Sequence, residues 1–147
     1  MAILDDQSAL AAFLDSTPVA TFAVPVASDG TLHIATMHYW HDSKTLNFYF
    51  VTEEASEKCA LLRDGGTQKA AVVVGTDRGT PFTLQMRGVA QIVSKDEYAF
   101  AIDGYTSKRG NSHDVEHEGS VLLQFHPTWA RFTDYAQGYD RHQLPLE

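Results

Sequence analysis

Residues 33–62, HIATMHYWHDSKTLNFYFVTEEASEKCALL, carry the pattern that decides the fold: strand, tight turn, strand, helix. The first strand is predicted over 31–41 and the second over 45–52. In the second, Leu46, Phe48 and Phe50 share one face while Asn47, Tyr49 and Val51 share the other, the period of two that a pleated strand imposes. The period then changes. Ala55, Cys59, Ala60 and Leu62 recur at three and four, with Glu53, Glu54 and Glu57 early and Arg63 late, so the charges match the dipole of a helix over 53–64. Asp64-Gly65-Gly66 closes it. A helix start with free N–H groups, the hydroxyls of Thr52 and Ser56 and the ammonium of Lys58 makes a cradle for a phosphate. The alternative is that Thr52 is simply an N-cap.

Outward from this stretch, Leu10, Phe13 and Leu14 stand at helical spacing in an opening helix over 5–15 that Pro18 ends. A β-branched and aromatic strand over 19–26 turns at Ser28-Asp29-Gly30 into the strand already described. Downstream, AAVVVG at 70–75 is apolar on both faces, as a strand buried on both sides must be. In a strand over 82–93, Phe82, Leu84 and Met86 alternate with Thr83, Gln85 and Arg87, and Gly88 marks a bulge or a close backbone approach. A helix over 95–108, a polar loop over 109–119 and strands over 120–126 and 128–135 complete the chain. The pattern is mainly β: six or seven antiparallel strands with short flanking helices, in one domain over 1–147 that closes as a small barrel. One apolar strand face fills the barrel. The other requires helices or a second subunit to cover it, and a homodimer is the simplest arrangement.

Composition bounds the function. At 147 residues, 44% apolar and 20% charged, the chain can build a core without disulfides or metal staples. Eleven Lys and Arg against nineteen Asp and Glu leave a net charge of −8, which argues against nucleic acid and anionic membrane as partners. The single Cys59 cannot form an intramolecular disulfide and fits a reducing compartment. The start MAILDDQSALAAFLDS has no basic segment of the kind that opens a signal peptide, and no apolar run approaches the ~18 residues of a membrane span. A cytoplasmic protein is expected.

Phe50-Val51-Thr52 followed by Ser56-Glu57-Lys58 resembles the flavin-binding split barrel of the pyridoxamine 5′-phosphate oxidase-like superfamily, where a Phe-x-Thr strand end runs into Ser-Arg-Lys at a helix head. The resemblance extends over nearly the whole chain. It takes in the opening helix and hairpin, AAVVVG, the strand with Gly88, the helix with Tyr105 and Arg109, and Trp129-Ala130-Arg131-Phe132-Thr133-Asp134 followed by Gly138. It implies a split, Greek-key-like barrel that dimerises with FMN at the subunit seam. By the same resemblance, the strand backbone of Thr36, Met37 and His38 lines the isoalloxazine, and Val51 and Thr52 meet the ring and ribityl chain. Ser56 and Lys58 hold the phosphate. Thr83, Gln85 and Arg87 come from the neighbouring chain, with Trp129 and Arg131 reaching in from the last strands.

The sequence departs from the oxidases in three places. Glu57 stands where they carry Arg, Thr36 stands where they carry a second phosphate-binding Arg, and Tyr139-Asp140-Arg141-His142 lacks the spacing of their Arg-x-His-Asp-Arg signature. At about 6 Å and an effective dielectric near 20, Glu57 opposes each phosphate charge by roughly 2.8 kcal/mol. Vitamin B6 oxidation is therefore not expected. The expectation is an FMN-dependent oxidoreductase acting on another small molecule, with His38 and Tyr105 the nearest titratable groups and no catalytic residue assigned. The alternative, from a different class, is a non-catalytic split-barrel dimer holding haem or a loosely bound flavin. His113 and His117, four apart in HDVEH, have helical metal-ligand spacing, but Gly110-Asn111-Ser112 and Gly119 favour a loop, and no metal is expected there.

Overall fold

The computed structural model describes residues 7–75, 81–137 and 140–146. The elements in chain order are α1 (Gln7–Ser16), β1 (Val19–Pro25), β2 (Leu32–His38), β3 (Trp40–His41), β4 (Phe48–Glu53), β5 (Thr67–Val74), β6 (Phe82–Val93), α2 (Ala99–Arg109), α3 (His113–Glu116), β7 (Ser120–Asp134) and β8 (Asp140–Gln143). All described strand pairs are antiparallel. They form one sheet in the order β2-β1-β5-β6-β7-β4-β3, with β8 added to β7. The long strand β7 pairs along its length with β6 on one edge. On its other edge Ser120–Phe125 pairs with β4 and Arg131–Asp134 with β8. This sharing of β7 curls the sheet into a half-barrel, the mainly β architecture expected.

Alternation sets the core. Phe22, Val24, Val72, Val74, Leu84, Met86, Phe48, Phe50, Phe125 and Phe132 point inward and are almost wholly buried. Each such side chain contributes about 1.5–3 kcal/mol on leaving water. Helix α1 closes one side: the Phe13 ring lies 5.5 Å from that of Phe82 and 5.8 Å from that of Phe132. Its C-terminal carbonyls, which lack intrahelical partners, are taken up from elsewhere in the chain. Tyr39 Oη donates to Leu14 O at 2.8 Å. Lys108 Nζ donates to Leu14 O at 2.9 Å and Thr17 O at 3.0 Å, 3.5 Å from the Tyr39 ring centroid. A second, smaller cluster packs α2 on the outside of β4 and β7 through Tyr49, Ala101 and Leu122. Trp40 lies so close to α2 that a Cβ at Gly104 would fall 2.2 Å from its ring.

The structure differs from the sequence reading at several elements. The strand expected over 31–41 is interrupted at Tyr39 into β2 and β3, and the next begins at Phe48, after a turn closed by Asp42 N–H to Asn47 O and Leu46 N–H to Asp42 O. The helix expected over 95–108 lies at 99–109, ended by Gly110 at φ 82°. The loop expected over 109–119 contains the short helix α3. The helix expected over 53–64 does not form: only a 3₁₀ turn at Glu57–Cys59 is present. The backbone closes tightly there, Cys59 N–H to Ser56 O and Ala60 N–H to Glu57 O, the i to i+3 pattern of a 3₁₀ turn, and Arg63 adds bonds from Nε to Glu54 O and from Nη2 to Ser56 O, both at 2.8 Å.

The strands expected over 120–126 and 128–135 are one strand running through Pro127. Pro has no N–H for a ladder and is admitted at bulges. The register shifts between Arg87 and Gly88, opposite Pro127. The approach there is so close that a Cβ on Gly88 would lie 2.0 Å from His126 O. Gly88→Ala is expected to cost at least 2 kcal/mol, on the order of an overpacked core, read from urea denaturation. A loss under about 0.5 kcal/mol would show that β6 and β7 do not meet this tightly.

Candidate functional site

Strand register lays two rows of side chains across the outer face of five strands. Ile34 pairs with Ala23, Ala23 with Ala71, Ala71 with Arg87 and Arg87 with Trp129. Two residues along, Thr36 pairs with Thr21, Thr21 with Val73, Val73 with Gln85 and Gln85 with Arg131. Five strands at ~4.8 Å spacing make each row about 19 Å long, and the rows lie roughly 7 Å apart. The first row is walled by Ile34, 66% exposed, and by Trp129, with Ala23, Ala71 and Arg87 between them. The result is an open trough of about 280 Å³. The second row is polar at both ends.

The polar end is ordered from within the chain. Arg131 Nη2 donates to Gln85 Oε1 at 2.8 Å. The guanidinium carbons of Arg87 and Arg131 lie 4.0 and 5.6 Å from the Trp129 ring centroid, within cation–π reach. Arg131 Nε is buried with no acceptor among the described residues. Thr83 is on the same face, its hydroxyl given to Gly75 O at 3.0 Å.

The other predicted residues gather at the end of β4. Val51 packs against the smaller cluster, and Thr52 Oγ1 lies 3.4 Å from Ser56 Oγ. Thr52 is a strand residue and not a helix cap. Ser56 precedes the 3₁₀ turn and makes no side-chain capping bond; its hydroxyl reaches Cys59 Sγ at 3.8 Å. With three residues of 3₁₀ helix, no dipole-backed helix start faces a ligand here. The cradle reduces to the two hydroxyls and Lys58, which has no hydrogen-bond or ion-pair partner among the described residues. Glu57 turns aside: its carboxylate is 78% exposed and lies 3.3 Å from His33 Nδ1 on β2. At that exposure water screens it, and its opposition to a bound anion falls from the 2.8 kcal/mol scale to below about 1 kcal/mol. Met37 points into the core, so only its backbone is offered outward. His38 Nδ1 lies 3.3 Å from Pro18 O, and Thr36 is exposed.

The titratable neighbours are committed to structure. Asp114 Oδ2 accepts from Tyr105 Oη at 2.9 Å and from Arg109 Nε at 3.1 Å. Burial raises the Tyr105 phenol above its ordinary value and the bond to Asp114 adds to this, so it stays a protonated donor. Burial opposes ionisation of Asp114, but the bonds from Tyr105 and Arg109, with the Arg109 charge, outweigh it and hold the carboxyl low. His113 and His117 line a cleft of about 260 Å³ with Val51, Thr52, Asp114 and Ser120. There His117 Nδ1 is 3.7 Å from Glu53 Oε1. No group of three His, Cys, Asp or Glu is placed to hold a metal among the described residues. Cys59 is buried.

Thus Thr83, Gln85, Arg87, Trp129 and Arg131 share one face, with Thr36 in register at its far edge. Val51, Thr52, Ser56 and Lys58 form a separate group at the β4 end. The small outward residues Thr21, Ala23, Ala71 and Val73 were missed as site residues, as were Ile34, His33 and Arg63. The signal for the first four was the double-faced apolar pattern of VATFAV and AAVVVG. Because Asp114 titrates below its ordinary value in the fold, it adds stability that is present above about pH 4 and lost as pH falls through its folded value. Asp114→Asn is expected to cost about 1 kcal/mol at pH 6 and to match wild type in the acid limb. An undiminished difference at pH 3 would contradict the assignment.

A family model described as pyridoxamine 5′-phosphate oxidase matches residues 6–128. No protein with a curated description matches the sequence. Among solved structures, General Stress Protein 26 from Bacillus anthracis str. Sterne aligns over 99% of this chain and 100% of its own, at TM-score 0.70 and 15% identity. A heme binding protein from Mycobacterium smegmatis aligns over 97% of this chain and 57% of its own, at TM-score 0.69 and 16% identity. HutZ, the heme storage protein from Vibrio cholerae, aligns over 82% of this chain and 88% of its own, at TM-score 0.61 and 12% identity. At these identities the likeness is one of fold. The family match, which spans every candidate residue except Trp129 and Arg131, places this chain in the pyridoxamine 5′-phosphate oxidase family.

Proposed function

We propose that two copies of this chain pack outer face to outer face and bind FMN at the seam, as an oxidoreductase that acts on a small molecule other than vitamin B6. One observation supports the reading: an open trough of about 280 Å³ crosses the outer sheet face between Ile34 and Trp129, lined by Ala23, Ala71, Gln85 and Arg87, with Arg131 next to Gln85 in register. Exposed Leu32 and Ile34 beside it need a cover, and a second copy supplies one. The residues fit the cofactor in both halves. Gln85, Trp129 and Arg131 offer donors and an aromatic edge to a flat ring system. Thr52, Ser56 and Lys58 offer two hydroxyls and a free cation to a phosphate, with Glu57 drawn off towards His33.

When bound, FMN supplies the hydride and electron transfer. The chain's own residues do the holding. Lys58 neutralises phosphate charge, Arg131 and Gln85 orient the ring through hydrogen bonds, and Ile34, Ala23 and Ala71 keep water from its face. Tyr105 stays protonated and braces Asp114, so it positions the helix next to His38 and takes no proton itself. The alternative is a non-catalytic dimer that binds haem, for which the half-buried imidazoles of His33 and His38 on β2 are the nearest nitrogen ligands.

Titration of the protein with FMN, followed by its absorption bands at about 370 and 450 nm, separates the two. Binding is expected, weakened at least tenfold, ~1.4 kcal/mol, by Lys58→Ala and by Arg131→Ala. Glu57→Arg is expected to strengthen it by a similar factor, and a nicotinamide donor is expected to bleach the 450 nm band. No response to FMN in wild type or Glu57→Arg, with a Soret band on adding haem, would favour the alternative.

A further inference from the structure

We propose that His33 of β2 is a positioning residue for the phosphate end of the site: by holding Glu57 aside it leaves Lys58 free, and so makes the chain prefer a phosphorylated ligand over the same ligand without its phosphate. The inference rests on the reading that Thr52, Ser56 and Lys58 receive a phosphate, and it adds a residue outside that group. The backbone that carries Glu57 has little freedom. Cys59 N–H bonds to Ser56 O and Ala60 N–H to Glu57 O, the Arg63 guanidinium donates to Glu54 O and Ser56 O, and Cys59 and Leu62 are wholly buried. What remains variable is the direction of the Glu57 side chain, which is 78% exposed. Holding a long exposed side chain costs rotamer entropy, so its direction is set only where a fixed partner meets it.

His33 is such a partner. It sits in the β2 ladder opposite Val24, half-buried, with Nδ1 3.3 Å from Glu57 Oε2. Nδ1 holds a carboxylate as the imidazolium or as the neutral Nδ1–H tautomer. Lys58 shows the consequence. It follows Glu57 directly in the chain, yet it has no hydrogen-bond or ion-pair partner among the described residues. In a chain with nineteen acidic and eleven basic side chains, an uncompensated ammonium close in sequence to the paired hydroxyls of Thr52 and Ser56 is a local exception. Released from His33, the Glu57 carboxylate has two other directions open to it. Against Lys58 it removes the free cation, and towards a bound phosphate it repels the ligand. Either weakens a phosphate and leaves an uncharged ligand alone, and screening by water keeps the effect to a few-fold.

The test uses three probes on the whole protein: inorganic phosphate, followed by the amide NMR signals of Ser56 and Lys58, and FMN and riboflavin, followed by flavin fluorescence. His33→Ala is expected to weaken phosphate and FMN about threefold and to leave riboflavin unchanged. His33→Gln, whose amide donates to Glu57 in place of Nδ1–H, should keep wild-type affinity for all three. In a Glu57→Gln background His33→Ala should change nothing, since the residue it acts through is gone. The proposal is overturned if His33→Ala weakens riboflavin as much as FMN, if it weakens phosphate equally in the Glu57→Gln background, or if it leaves phosphate and FMN binding as they were. Phosphate binding that follows this cycle in a protein that does not bind FMN would remove the flavin reading and keep this one. FMN binding that ignores His33 would do the reverse, and a protein that binds neither phosphate nor FMN would overturn both.

Discussion

Strand β7 is the constraint on which the rest depends. It must pair with β6 over Leu122–Asp134 and with β4 and then β8 on its other edge. Its second edge is without a ladder only between β4 and β8, over residues 126–130, and a proline within such a strand is tolerated only where the ladder shifts. Gly88 supplies that shift, and its missing side chain lets the β6 backbone come against His126 and Pro127. From this junction the half-barrel acquires its two faces: aromatic rings inside, and outside the rows that end at Trp129 and Arg131.

The two faces are built by different chemistry. Inward, Phe22, Phe48, Phe50, Phe125 and Phe132 fill space, and the stability of the molecule resides there. Outward, Ala23, Ala71, Thr21 and Val73 are small and only half-buried within the single chain. Trp129 and Arg131 alternate along β7 with Ala130 and Phe132 of the core. A change in core packing therefore moves the edge of the proposed site directly, without any intervening loop.

The fold was legible in the sequence because its strands alternate strictly and its turns carry Gly and Asp. Strand limits at β1 and β6 were readable from VATFAV and from Phe82-Thr83-Leu84-Gln85-Met86-Arg87 alone, and Gly88 announced its own bulge. The helix over 53–64 was not legible as a failure. Its apolar spacing is helical, and nothing in that spacing shows that the backbone closes i to i+3 at Ser56 and Glu57 or that Arg63 bonds back to Glu54 O and Ser56 O. The pairing of Glu57 with His33 was equally invisible, since it joins positions 24 residues apart whose proximity exists only after β2 and β4 are set in the sheet. Of the candidate site, the polar positions of β6 and β7 could be read from period two. The register that aligns Thr36 with Arg131 across five strands could not, because no local pattern fixes which residue of β1 faces which of β5.

The proposed seam between two copies is tested most directly by sedimentation velocity on wild type and Ile34→Glu, each with and without FMN. The account predicts a wild-type dimer at micromolar concentration and an Ile34→Glu monomer that stays folded and binds FMN at least tenfold more weakly, ~1.4 kcal/mol. A wild-type monomer that binds FMN, or an Ile34→Glu protein that dimerises and binds FMN as wild type does, would contradict it.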